Sequence, residues 1–479
     1  MFGYVEKLRD DSRNLAVVSR ASCSSEREVK KESLVFSNGK FVNRFMMKPE
    51  AAWLLRTIIS FLLLGGSLSI EKLKNIYSWK ALEFAFPNEY ARELAIHDGR
   101  FIPGAPIPID VDFYHRAKLG SVVFISIPRF QNGVPVTLGY VTDNISAEGN
   151  PIIAPYPNWE WNRLGNCDAI TSVYRVQVDS CDRLWVLDTG KLEDRQICRP
   201  QLLSFSLKTN KVLSQYKFPK EQFKDDSIFV TLAVDIRNNE KCSDTFVYIA
   251  DVTGYGLLVY DHRNSHSWRI TNNLFYPYPP YGTFHIKGDT FDLMDGILGL
   301  ALSPIKQDGD RILYFHSLAS RVESWVPTSI IRNYSLFQDH SDAASRSFRP
   351  FAMERSSQSA AQAMDENGIL FFGLLSDLAI GCWNSITHPE YGGTNNEIVI
   401  VDPDTLQFPS GLKIFTAKNG RQELWVLTSS FQKYMTATMS ANETNFRIQA
   451  GYVDELVRGT KCNGGFDRNR AYETSPFTK

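Results

Sequence analysis

The chain carries almost no net charge and very little helical periodicity. Lys and Arg total 52 and Asp and Glu 53 in 479 residues, a formal net charge of −1. That balance gives no basis for nucleic-acid binding, and a local pair such as Lys30 and Lys31 reads as solvated surface. No P-loop, Rossmann glycine fingerprint, G-x-S-x-G elbow or H-E-x-x-H pair occurs, so the chemistries those motifs carry lack their usual residues here. There is no C-x-x-C, which argues against a zinc knuckle or a thioredoxin-type centre. His262 and His266 have i,i+4 spacing but fall in a turn-rich stretch, 261–267, so no metal site is expected there. Asp188-Thr189-Gly190 matches half of an aspartic-protease site, yet no second such triplet exists to share a proton. The expected role of Asp188 is to bond turn amides after a strand. Helical signal is confined to two weak stretches, 81–94 and 452–458.

What is present begins with an export pattern. Residues 1–45 show no periodicity and are read as an extension outside the functional chain, or as a disordered segment. Lys48 precedes an apolar core from Ile58, and small residues follow at Gly65, Gly66, Ser67 and Ser69. Over 46–70 this is a secretory signal pattern, with Met46 or Met47 as the start. A signal anchor is the alternative, but the run is short and interrupted by Arg56. The mature chain is then 71–479, secreted and free of membrane after cleavage. Cys23 lies in the N-terminal extension, and the other six cysteines are Cys167, Cys181, Cys198, Cys242, Cys382 and Cys462. An even number fits a disulfide set in an oxidising compartment, with all fifteen pairings open. Asn144, Asn333 and Asn442 head N-x-S/T triplets that become glycosylation acceptors on that route.

The dominant feature is a repeat. Six short apolar runs recur at intervals of roughly 60 residues, starting at Val122, Leu184, Phe246, Ile312, Leu370 and Leu424. Around each lie further strand signals, four per unit where they are clearest. Four-stranded antiparallel sheets repeated radially predict an all-β, six-bladed β-propeller, the arrangement that leaves sheet edges short and protected. No Gly/Ser-rich or Pro-rich linker follows Glu71 to support an array of sandwiches instead. The innermost strands are expected at 169–178, 230–235, 296–303, 357–364 and 412–416. That of the first blade is not evident, and the ring is open to closure by chain from both termini.

Specific motifs now resemble a known family. Leu184-Trp185-Val186-Leu187-Asp188-Thr189-Gly190 between Cys181 and Cys198 is similar to a hallmark of the insect yellow / major royal jelly proteins. So are Ala154-Pro155-Tyr156-Pro157-Asn158-Trp159, Tyr248-Ile249-Ala250-Asp251, Ala379-Ile380-Gly381-Cys382-Trp383-Asn384 and Glu423-Leu424-Trp425-Val426-Leu427-Thr428-Ser429. The matches run in order from Trp79 to about Cys462. The resemblance implies an extracellular six-bladed propeller. It also implies one of several roles: melanin patterning of cuticle, dopachrome conversion, binding of serotonin or catecholamines, or nutrition.

Function in such a fold is expected at one channel mouth. Gln358 and Ser359 would place an amide and a hydroxyl there, with Phe371, Phe372, Ser376 and Asp377 following in the same blade. Asp235, Asp295 and Asp377 are the candidate carboxylates for an amine, and Tyr276, Tyr278 and Tyr281 a candidate aromatic rim. The expected ligand is a small aromatic amine or an indole, held by stacking and a few polar groups without a cofactor. If the reaction is dopachrome tautomerisation, a channel Asp or His would be the base and Gln358 and Ser359 the donors. Oligomeric state is not legible.

Overall fold

The computed structural model describes residues 73–116 and 120–464. The extension and signal peptide expected over 1–70, and Cys23, lie outside the described residues.

Six sheets form the blades of a propeller. Blade 1 runs through Asp110–Arg116, Gly120–Ser126, Leu138–Ile145 and Pro151–Pro155, with Glu83–Phe84 added in parallel at its outer edge. Blade 2 is Val173–Val178, Arg183–Asp188, Gln201–Ser206 and Val212–Lys217. Blade 3 is Phe229–Ile236, Thr245–Asp251, Gly256–Asp261 and His266–Ile270. Blade 4 is Ile297–Leu302, Ile312–Ser317, Val322–Pro327 and Arg349–Glu354. Blade 5 is Gln362–Met364, Ile369–Leu374, Ala379–Asn384 and Glu397–Val401. Blade 6 takes Pro409–Thr416, Gln422–Ser429 and Phe446–Tyr452 from the end of the chain and Lys74–Trp79 from its beginning. The first strand of each blade is innermost, and these six strands pack side by side in a ring around the channel. Both termini therefore close one blade. The inner strand of blade 1, not evident from sequence, is Asp110–Arg116.

Burial explains why the repeat was readable. A blade's second strand is covered on both faces by the neighbouring blades, so it reads as an unbroken apolar run. Arg183–Asp188 and Ile369–Leu374 are buried at every position, whereas the outermost Val212–Lys217 is largely exposed. The core lies between blades. One cluster joins Tyr248, Leu257 and Trp268 of blade 3 to Leu300, Phe315 and Val326 of blade 4. Another joins Phe371, Ile380 and Cys382 of blade 5 to Leu412, Leu424 and Val426 of blade 6. Trp185 and Trp383 are fully buried, and truncating either to Ala would cost about 3–5 kcal/mol in lost transfer energy and cavity.

Polar side chains finish what the sheets leave open. Asp188 accepts from Thr171 N (2.9 Å), Ser172 N (2.7 Å), Gly190 N (2.9 Å) and Gln201 Nε2 (2.9 Å). It is the turn-amide acceptor expected of it. Asp251 repeats the device one blade on, accepting from Ile228 N and Gly254 N and pairing with Arg269. Unpaired amides on the inner edges are capped by the preceding blade. Asp110 takes Val176 N, Asp112 takes Val178 N and Gln177 takes Val234 N. Burial pushes the Asp112 carboxyl up to about 7.

Three disulfides use all six cysteines of the described residues: Cys167–Cys198, Cys181–Cys242 and Cys382–Cys462. The helix expected within 81–94 forms later, at Glu89–His97, where Asn88 accepts from Ala91 N as its N-cap. Among the described residues no helix is long and apolar enough to cross a membrane.

A candidate binding site at the upper channel mouth

The inner strands all begin at one end of the channel, here the upper mouth. Four of them carry a one-residue bulge near that end, where the register against the second strand slips. The extra residues are Tyr174, Val230, Leu298 and Ser410. A bulge breaks the ladder and re-aims a side chain, so blades 2, 3, 4 and 6 each present an irregular position at one level. This level escaped the sequence reading, because a bulge leaves no mark on apolar periodicity.

Below the bulges the channel is obstructed. Arg175 of blade 2 reaches across to donate through Nη2 to the Ala360 carbonyl of blade 5 (3.2 Å). Its Nε is buried without a partner, and burial lowers its pKa. Lys413 pairs with Asp110 at 2.9 Å in the adjoining part of the ring.

Above the bulges lies an aromatic cover. The connection between blades 3 and 4 folds into a hairpin, Thr283–Ile286 paired with Asp289–Asp292. It passes over the blade 5 side of the mouth. Gln358 Nε2 donates to Tyr281 O (3.1 Å) and Thr283 O (3.0 Å), Lys287 pairs with Asp404 (2.7 Å), and Phe291 meets Phe431 of the blade 6 helix Phe431–Met435. Rings then run from Phe284 to Phe291, Phe431, Phe130 and Tyr174, with centroids 5.2, 6.3, 6.3 and 5.5 Å apart. The series ends on the bulge residue of blade 2, having passed by way of blades 6 and 1.

Asp295 stands where this hairpin returns to blade 4. It is 8% exposed, and its carboxylate has no hydrogen bond or ion pair among the described residues. Burial pushes its pKa up to about 6, and its charge acts on Tyr174 and Tyr255. Ser357 Oγ and Ser410 Oγ, at the heads of the blade 5 and blade 6 inner strands, are likewise buried without partners. The site thus combines aromatic walls, a cationic floor, free hydroxyls and one unmatched carboxylate.

The other residues singled out from sequence fall elsewhere or are engaged. Asp235 is fully buried at the lower end, held by Arg237 (3.1 Å), Arg311 (3.4 Å) and the Tyr248 hydroxyl (2.9 Å). Ser359 is buried with its hydroxyl on Ala361 O, and its carbonyl faces His316 Nε2 at 3.0 Å. Phe371 and Phe372 are core: the first packs towards blade 6, the second against Tyr391 and blade 4. A continuous apolar run gives no sign of which face meets a channel, and here neither does. Ser376 is exposed, and Asp377, half-buried, accepts the Ser356 hydroxyl. Tyr276 is exposed and tilted against Tyr255, and Tyr281 donates to Glu354. Asn144, Asn333 and Asn442 are all exposed.

Fold and mouth define a class: a six-bladed propeller with a channel obstructed from within and covered at one end. The profile described as "Major royal jelly protein" matches residues 171–462. The chain is 35% identical over 441 residues to Protein yellow of Drosophila yakuba, covering 89% of this chain and 76% of that protein. Protein yellow of Drosophila melanogaster matches equally well, 35% over 441 residues. Dopaminechrome tautomerase of Drosophila melanogaster is 33% identical over 406 residues, covering 82% of this chain and 85% of that protein. The chain belongs to the major royal jelly protein family.

Proposed function

We propose that this is a secreted protein of the melanin pathway that binds aminochromes, the indole-quinone precursors of pigment, at the upper mouth and tautomerises them. Relatives named Protein yellow and Dopaminechrome tautomerase support the pathway. The three disulfides and the exposed sequons suit export. The observation that carries the reading is Asp295, a nearly buried carboxylate with no hydrogen bond or ion pair among the described residues, whose charge acts on Tyr174 and Tyr255.

Tautomerisation moves protons from ring carbon to quinone oxygen with no net change in composition. It needs a base beside the carbon and donors for the oxygens. Asp295, held near pH 6 by burial, is ionised at neutral pH yet basic enough to accept a proton. Arg175, with an unused buried N–H, and Ser357 are the donors. Gln358 and Ser359, named from sequence for that task, already donate to protein carbonyls. Tyr174 and Phe130 supply stacking walls.

The test is purified protein 71–479, secreted from insect cells, with aminochrome loss followed spectroscopically against a heat-inactivated control. Saturable acceleration, lost in Asp295→Asn, supports the enzyme. The same carboxylate would equally hold an amine cation, so a non-catalytic amine carrier is the second reading. Tight calorimetric binding of dopamine or serotonin without acceleration selects it. Neither signal would remove both.

A further inference from the structure

We infer that His316, Glu323 and Arg355 are positioning residues for the channel floor: by holding one proton more than a neutral imidazole allows, they fix the Ser359 carbonyl, and with it Ala360 O beneath Arg175. That Arg175 serves a ligand rests on the functional reading above; the holding of the strand head does not.

Residues 357–361 lead into the inner strand of blade 5. They meet the second strand where Leu375 N donates to Gln358 O (3.0 Å) and Gly373 N to Ala361 O (3.1 Å), and the register slips by one residue between these bonds. The two carbonyls in the slip turn to other blades. Ala360 O takes Arg175 Nη2 of blade 2 at 3.2 Å, and Ser359 O faces His316 Nε2 of blade 4 at 3.0 Å. The imidazole is fully buried over Gly299, where a Cβ would come within 2.2 Å of the ring. Glycine in the blade 4 inner strand makes room for it. The same short segment carries Ser357 and, through Gln358, the hairpin that covers the mouth.

His316 Nδ1 faces Glu323 Oε2 at 2.9 Å, so both ring nitrogens look at acceptors. A neutral imidazole has one N–H and leaves a lone pair against an oxygen. Two N–H groups, or a second one shared with Glu323, satisfy both. Arg355 Nη1 is 2.6 Å from the same Glu323 oxygen, and Gln362 Nε2 donates to the other at 3.1 Å, so the cluster titrates as a unit. Glu323 faces the imidazole from the third strand of blade 4 and Arg355 from the entry to blade 5. Gly299 and Ser359 bring no charge, and Tyr314 and Tyr391 beside the cluster are kept neutral by burial. Burial and then the Arg355 charge lower the His316 pKa, against Glu323. The extra proton is therefore lost, as pH rises, below the ordinary histidine range. A lone pair then meets Ser359 O, the strand head is released, and Arg175 loses its fixed acceptor.

The test is amide hydrogen exchange on the secreted protein from pH 5 to 8, corrected for intrinsic rates. It is read at Gly373 and Leu375, whose amides bond to this segment, with Thr245–Asp251 of blade 3 as control. We expect exchange at both to quicken about tenfold as pH rises through the titration of the cluster, while the control stays level. The midpoint should match that of His316 itself, followed by exchange of its ring C2 hydrogen. His316→Gln keeps an amide donor where Nε2 stands and cannot titrate, so its exchange should stay slow throughout. A wild-type profile without the step, a midpoint away from that of His316, or a step that persists in His316→Gln would overturn the inference. Where aminochrome is turned over, His316→Gln should lower KM about threefold at pH 7.5 by keeping the floor set, while kcat retains the acid limb of Asp295. A KM that tracks the wild type across pH counts against the inference and leaves tautomerisation standing. If no aminochrome is turned over, the functional reading falls, and the exchange comparison still decides the positioning.

Discussion

The two ends of the channel are built on opposite plans. At the lower end Asp235 is buried between two arginines and a tyrosine hydroxyl. At the upper end Asp295 is almost as buried and has no hydrogen bond or ion pair among the described residues. Sequence alone gave no ground for ranking them, since both sit in or beside an inner strand. Company separates them. A carboxylate whose oxygens are taken is part of the frame, whereas one kept ionisable without a partner burdens the fold and is free for a ligand.

The contrast can be broken or sharpened by substitution. The yardstick is Cys462→Ser, which opens a loop of 80 residues. It should cost about 4 kcal/mol on the chain-entropy account, leaving ligand preference at the mouth unchanged in whatever protein still folds. Thermal unfolding and calorimetric binding read the two effects. Asp235→Ala comes next. It strands Arg237 and Arg311 and should lose about 3 kcal/mol by denaturant titration, again without changing affinity. A neutral outcome there would put the two aspartates in one category and erase the comparison.

Asp295→Asn should go the other way. Burial raises this carboxyl from the ordinary range to about 6, so the folded protein holds its proton more tightly than the unfolded chain does. The associated stability is full below about pH 4 and is lost as pH rises through 6. The amide should therefore raise stability on the order of 2 kcal/mol at pH 7.5 and add nothing near pH 4. Turnover should fall about a hundredfold or more, and in the wild type it should decline on the acid side with an apparent pKa of about 6. A variant both less stable and fully active would show Asp295 to be framework after all. The smallest effect belongs to the cover. Lys287→Ala removes an exposed pair with Asp404 and should change stability by less than about 0.5 kcal/mol. Any larger change in ligand release rate would mean that the hairpin, rather than its tether, governs entry.

The propeller was legible because second strands are sandwiched on both faces and announce themselves as apolar runs. The inner strand of blade 1 was not, because Asp110 and Asp112 serve neighbouring strand edges and make Asp110–Arg116 read as polar chain. Asp188 was legible for a local reason: its acceptors' work lies within its own blade and the run-in to it. The mouth was only half visible. Asp295 could be named, but Tyr174 and Arg175 depend on a bulge and on a reach across the channel to Ala360, and neither leaves a spacing to find. Phe371 and Phe372 misled because a core run and an aromatic wall are written in the same residues.

The pairing of Lys74 with Ala450 and of Trp79 with Phe446 gives blade 6 a strand from each extremity. During synthesis the early strand emerges with no partner and waits through five blades of translation for one. Until Phe446–Tyr452 appears, the nascent protein is an open arc with an unpaired edge at each side, the kind of edge that other strands seek. Assembly of this molecule is thus a race between completion of the last blade and capture of the first strand by something else.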